Sequence, residues 1–248
     1  VSATVRDAAT VVLLRDTVSG LETFVMRRTT TMAFAPRMHV FPGGRVDRVD
    51  YEERVRFVDG DVVALAERGS TDIAGIAALY SCAVRETEEE AGILIADRDD
   101  EDRLLIDPTR LPIIDHWVTP DVESHRYDVR FFAARVDDGH AVLTTTEADD
   151  AAWIAPAQAI AEFEAGRMAM LPPTEAVLRR LAGFAHAADV LADAGRRSVV
   201  PLLPTRIVAD DGTTRWVLAH DRTGEILVDH VAMPHTRETD GLPMGDQA

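Results

Sequence analysis

The stretch Arg85-Glu86-Thr87-Glu88-Glu89-Glu90-Ala91-Gly92-Ile93 constrains this chain more than any other. It closes a predicted helix over 72–91, in which Ile73, Ile76, Tyr80, Ala83, Val84 and Ala91 recur at helical spacing. Thr71 or Asp72 supplies the N-cap and Gly92 the stop. At 100° per residue, Glu86, Glu89 and Glu90 fall within an arc of about 100°, on a different side from the apolar stripe. The helix can therefore pack on a sheet while gathering three carboxylates on one face. Crowded carboxylates repel one another unless a cation compensates them, and a hard divalent ion such as Mg²⁺ or Mn²⁺ suits oxygen ligands. Arg85 is placed to hold one carboxylate, and Glu88 points elsewhere. A Glu-rich helix face is also what an ordinary solvated surface presents.

The rest of the chain alternates strands and helices. Ala8–Leu14 and Glu22–Met26 read as a hairpin around Ser19-Gly20, followed by a Pro-Gly-Gly turn at 42–44. Residues 45–71 are charged and irregular, with a short helix around Val62–Glu67. Further strands are expected at Ile93–Ile95, Ile113–Val118, Tyr127–Val136 and Ala152–Ile154. Two helices follow at Pro156–Ala165 and Pro173–Ala194, the second with Val177, Leu178, Leu181, Phe184 and Ala188 at helical spacing. Residues 198–233 change texture, with short strands at Thr205–Val208, Arg215–Ala219 and Ile226–Val231 around Asp211-Gly212 and Thr223-Gly224 turns. The class is α+β or mixed α/β, one domain with a C-terminal β-hairpin extension and a frayed polar tail.

Charge narrows the function. Forty-three acidic against 26 basic residues leave −17, a balance repelled by nucleic-acid backbones and anionic membranes. Every base is arginine, so Schiff-base and phosphate-loop lysines are excluded. The sole cysteine, Cys82, excludes an intrachain disulfide and fits a reducing cytoplasm. No run approaches eighteen apolar residues, and the first residues lack a basic region followed by an apolar one.

Arg85–Ile93 resembles the second half of the Nudix box, R-E-U-x-E-E-x-G-U, and Phe41-Pro42-Gly43-Gly44 resembles the glycine turn that begins it. Thr87 stands where the family usually has an aliphatic residue. A standard box would place the arginine at position 58, so about 27 residues are inserted before Arg85. The family's first box glutamate has Asp47 or Asp50 as its nearest counterparts. An insertion at this point is similar to the branch of peroxisomal coenzyme A diphosphatases. Met38-His39-Val40, Trp117-Val118-Thr119-Pro120, Arg126-Tyr127-Asp128, Phe131-Phe132 and Pro172-Pro173-Thr174 agree with that branch, whereas Arg37 occupies the place of an expected glycine.

The resemblance implies an α/β/α sandwich, a mixed β-sheet between helices, over residues 1–195 with the insertion at about 45–71, then a β-rich extension and tail over 196–248. It implies a divalent-metal-dependent pyrophosphohydrolase cleaving a nucleoside diphosphate linked to another group. Coenzyme A or acyl-coenzyme A leads. ADP-ribose, a dinucleotide polyphosphate or a nucleotide sugar is the alternative, and a non-catalytic nucleotide-sensing module is the reading from another class. The Gly43 carbonyl with Glu86, Glu89 and Glu90 would hold Mg²⁺ or Mn²⁺. Glu89 is the first choice of general base, Glu147 the distal one, and Arg85 an orienting partner. Arg28, Arg37 and Arg45, with Arg27, would grip phosphates, beside Phe41. His39, Trp117, Trp153 and Cys82 read more readily as structural, and His116, His125, His220, His230 and His235 lack paired metal spacing. The partner is a small nucleoside diphosphate derivative, without nucleic acid or membrane, and homodimerisation is a further option.

Overall fold

The structure, a computed structural model, describes residues 4–31, 35–137, 141–208, 214–221 and 223–229. The Asp211-Gly212 turn, the end of the last expected strand, His230, His235 and the polar tail lie outside those residues.

The apolar run Val11-Val12-Leu13-Leu14 lies in β1 (Val5–Thr17), which is buried on both faces, as a central strand must be. β1 hairpins into β2 (Gly20–Arg28) through a two-residue loop that Thr17 and Gly20 close as paired residues. The short β3 (His39–Val40) and β4 (Gly43–Arg45) then pair with β2 and β1, setting the glycine turn between those two strands where their own pairing has ended.

Residues 45–71, read as irregular, fold into α1 (Arg48–Glu52), β5 (Val55–Phe57) and α2 (Val62–Arg68). The helix expected around Val62 is present, capped by Asp61. This segment is packed on the body. Arg68 donates to the carbonyls of Ile113 (2.9 Å), Ala194 (2.6 Å) and Arg197 (2.8 Å), and the buried Arg130 reaches Gly69 O at 2.8 Å.

α3 (Ile73–Ala91) follows, with Asp72 accepting from Gly75 N–H at 2.7 Å as N-cap and Gly92 in the left-handed conformation as stop. After it come β6 (Asp97–Arg98), β7 (Leu104–Ile106), β8 (Ile113–Val118), β9 (Arg126–Arg135), β10 (Ala148–Ile154) and α4 (Pro156–Glu164). The strand expected at Ile93–Ile95 is absent: Ile93 and Ile95 pack their side chains on the core with no ladder partner.

The long helix expected over 173–194 is two helices, α5 (Pro172–Leu181) and α6 (Ala187–Arg196). Gly183 lies in the break, and Asp16 of β1 accepts from Ala187 N–H at 2.9 Å, starting the second helix from a distant part of the chain. The break turns Ala187 and Val190 inward and leaves Ala188 exposed. β11 (Leu202–Val208), β12 (Thr214–His220) and β13 (Ile226–Asp229) complete the described elements.

The large mixed sheet runs β10-β2-β1-β9-β8-β11-β12-β13, with parallel pairs at β1–β9 and β8–β11, while β5-β7-β6 form a separate three-stranded sheet. On one face Ala9, Val11, Leu13 and Met26 meet Ile76, Leu79, Tyr80 and Ala83 of α3. On the other, Val12, Leu14 and Val25 meet Val177, Leu178, Leu181 and Val190 of α5 and α6. This is the expected α+β sandwich. Among the described residues no helix is long and apolar enough to cross a membrane.

Candidate active site

Phe41 is buried in the core on the α5 side of the sheet, and Pro42 O accepts from Val11 N–H at 2.8 Å, so the turn after them is fixed from below. Phe41, named as a substrate contact, therefore anchors the turn instead of facing solvent. At Gly44 a Cβ would lie 2.3 Å from Glu86 Oε1, so only glycine lets this backbone approach the carboxylate. Gly43 has φ +156, a Cβ there would lie 2.4 Å from Ala9 O, and its N–H donates to Glu90 Oε2 at 2.7 Å.

The C-terminal half of α3 lies against this turn. Glu90 is buried, Glu86 partly so, and Glu89 and Glu88 are exposed. Arg85 links the group: Nη1 donates to Glu86 Oε1 at 2.7 Å and reaches Glu89 Oε2 at 3.4 Å. Its Nε and Nη2 form a two-pronged bond with Asp50, at 3.0 and 2.8 Å. Asp50 is 1 % exposed and also accepts from Ser81 Oγ (3.3 Å) and Asp47 N–H (2.8 Å). Of the two aspartates weighed near the first box position, Asp50 is thus the one that meets Arg85, while Asp47 pairs with Arg45.

Electrostatics follow from this packing. Burial pushes the Glu90 carboxyl up to about 7, the Glu86 and Glu147 charges add to the rise, and the Gly43 N–H and Arg28 oppose it. Burial also raises Glu86, against the pull of Arg85. Arg85 is held more firmly protonated, first by its bond to Asp50. Burial raises the Cys82 thiol, and Cys82 Sγ contacts Gly44 O at 3.5 Å beneath the turn, a packing role.

The other candidates separate. Arg28, at the end of β2, is half-buried with its Nε unpartnered, and its charge acts on Glu90. Glu147 is exposed on the segment before β10, close enough for its charge to raise Glu90. Arg27 is occupied by Asp149 at 2.7 Å. Arg37 is exposed with φ +62, so the arginine standing in a glycine's place keeps a glycine-like backbone. His39 Nδ1 lies 3.1 Å from Ala169 O, and burial lowers its pKa. Trp117 is buried, Trp153 packs on Phe24 and under Arg15, and His116 pairs with Asp128, all away from α3's carboxylates.

Sequence reasoning did not foresee Ser81 or the tight fit of Glu86 on Gly44. The D-x-x-D spacing of Asp47 and Asp50, a helix-start pattern, was the one signal available for α1 and its buried carboxylate.

The donors suit a hard cation: oxygen atoms only, two of them desolvated against a glycine cradle. Among the described residues, however, no three His, Cys, Asp or Glu side chains already converge as a metal cage. Glu86 is turned to Arg85 and Glu90 to Gly43 N–H.

A NUDIX domain match covers residues 4–174, from the first strand through the glycine turn and α3 to the start of α5. The chain belongs to the Nudix family. Nudix hydrolase 7 of Caenorhabditis elegans is 29 % identical over 191 residues, 71 % of this chain and 60 % of the relative. An acyl-coenzyme A diphosphatase of Xenopus laevis is 25 % identical over 232 residues, 67 % of this chain and 61 % of the relative. The chain thus spans about three-fifths of the length of these two relatives. The crystal structure of a Nudix hydrolase from Alicyclobacillus acidocaldarius superposes with a TM-score of 0.62 at 28 % identity, covering 77 % of this chain and 96 % of that one. Nudix hydrolases generally use divalent metal ions.

Proposed function

We propose that this Nudix protein is a divalent-metal-dependent pyrophosphohydrolase that cleaves coenzyme A or acyl-coenzyme A at the diphosphate. The observation that carries the reading is the seating of Glu86 and Glu90 against Gly44 and Gly43, with Arg85 tying Glu86 to the buried Asp50. The coenzyme A assignment is supported by the inserted box, by the motifs flanking it, and by the similarity to an acyl-coenzyme A diphosphatase.

Glu86, Glu89 and Glu90, with the Gly43 carbonyl, are the residues that would hold Mg²⁺ or Mn²⁺. When bound, the ion neutralises diphosphate oxygens and acidifies a water. Arg85 keeps Glu86 oriented while its other edge is fixed on Asp50. The Arg28 guanidinium, whose charge acts on Glu90, is a partner for a phosphate group, and Arg37 and Arg45 are further ones. The water oxygen attacks one phosphorus, the bridging P–O bond breaks, and the water's proton passes to a carboxylate. Glu89, exposed and beside Glu90, is the first choice for that base, and Glu147 the second.

The test is hydrolysis of coenzyme A, acetyl-coenzyme A, ADP-ribose, NADH and diadenosine polyphosphates with Mg²⁺ or Mn²⁺, beside Glu90→Gln. Metal-dependent release of 3′,5′-ADP and a phosphopantetheine, lost in the variant, is the expected result. AMP plus ribose phosphate would move the substrate to ADP-ribose. Binding without turnover of any compound would replace the hydrolase by a nucleotide sensor.

A further inference from the structure

The turn carrying Glu89 and Glu90 is the last of α3, and a helix end leaves its final four carbonyls without partners inside the helix. Here each has one. Gly92 N–H donates to Glu88 O at 3.0 Å, Thr144 Oγ1 to Glu89 O at 2.6 Å, Thr144 N–H to Glu90 O at 3.1 Å and Val142 N–H to Ala91 O at 3.0 Å. All but the first come from residues 141–147, a segment far along the chain. That segment runs on to Glu147, whose carbonyl accepts from Thr29 N–H at 2.8 Å, and Ala148 then pairs with Arg28. It is a strap, stitched at one end to the carboxylate-bearing turn and at the other to the strand end that carries Arg28.

Thr144 Oγ1 is the one side-chain donor of the four and serves the Glu89 carbonyl, while the backbone N–H of the same residue serves that of Glu90. Its methyl group lies over the helix stop, where a Cβ built on Gly92 would be 3.3 Å from Thr144 Cγ2. Hydroxyl and methyl therefore do different things and can be separated: valine keeps the methyl and removes the donor, serine the reverse.

We propose that Thr144 is a positioning residue, whose hydroxyl fixes the last turn of α3 so that the Glu89 and Glu90 carboxylates keep their place relative to Glu147 and Arg28. Without that donor the Glu89 carbonyl turns to water and the final turn frays, carrying both carboxylates with it. This inference rests on the function proposed above. A group that orients metal-binding side chains is typically worth 10–100-fold in metal affinity or activity.

The experiment uses the full chain as wild type, Thr144→Val and Thr144→Ser. Free Mn²⁺ is titrated by electron paramagnetic resonance, and kcat and KM are measured with coenzyme A. The expected result for Thr144→Val is Mn²⁺ affinity weakened about tenfold and kcat lowered about tenfold with KM unchanged, while Thr144→Ser stays within about twofold of wild type. Wild-type Mn²⁺ affinity and kcat in Thr144→Val would overturn it, as would a serine variant as impaired as the valine one. If the wild type hydrolyses nothing but the Mn²⁺ difference between hydroxyl and methyl variants remains, the substrate reading fails and the positioning role stands.

Discussion

Replacing Glu90 by glutamine should stabilise the metal-free protein. Glu90 is 7 % exposed, and burial carries its carboxyl from an ordinary 4.5 to about 7. An acid whose folded pKa lies above its unfolded one burdens the fold when ionised. Below about pH 4.5 both states are protonated and there is no penalty; it grows as pH rises through the interval and is complete above about pH 7. At about 1.36 kcal/mol per pH unit, that interval amounts to about 3 kcal/mol. Glutamine places an amide oxygen where Gly43 N–H now donates at 2.7 Å and carries no charge. In a chelator at pH 8, Glu90→Gln should therefore melt roughly 6–12 °C above the wild type, on a scale of about 2–4 °C per kcal/mol for a chain of this size. The gap should shrink to roughly a quarter by about pH 5 and close by about pH 4. The assay is thermal melting by circular dichroism over that pH range, with EDTA. Adding Mg²⁺ should raise the wild type and leave the variant where it was, and the variant should lose turnover. A variant no more stable than wild type at pH 8, or a gap as wide at pH 4 as at pH 8, would refute the reasoning.

Two further substitutions probe the same scaffold. Arg85→Ala strands the buried Asp50 carboxylate and should cost about 3–5 kcal/mol in urea unfolding. Adding Asp50→Asn to it should recover a large part of that loss, and a double variant no more stable than Arg85→Ala would argue against the pair. Gly44→Ala puts a Cβ at 2.3 Å from Glu86 Oε1, the far end of a flexible side chain. It should fold with a melting temperature within a few degrees of wild type, yet lose at least tenfold in activity because Glu86 is pushed aside.

What the sequence made legible was local. The cap at Asp72, the apolar stripe of α3, the left-handed stop at Gly92 and the glycine turn all act within a few residues, so spacing reveals them. The hairpin at Gly20 and the strand Ile113–Val118 were readable for the same reason. What escaped was decided at a distance. The break between α5 and α6 depends on Asp16, 171 positions before Ala187. Asp50 is singled out from Asp47 only because Arg85 folds back onto it. Phe41 carried no sign of which side of the sheet it would take, and the strap at Thr144 works through backbone carbonyls, to which side-chain patterns are blind.

The bond between Arg85 and Asp50 spans 35 positions, against about eight where the arginine directly follows the glycine turn at the usual interval. Loop-closure entropy grows only with the logarithm of length, so the extra segment costs roughly 1 kcal/mol. Ala66, buried, and Phe57, edge-on to Tyr80 at 5.4 Å, offset that cost by joining the core. The two halves of the motif are therefore a unit in space and not along the chain. A search written with fixed intervals would pass this protein by, whereas one that asks for a glycine turn against a helix glutamate, and an arginine joining that glutamate to a buried acid, would retrieve it whatever lay between.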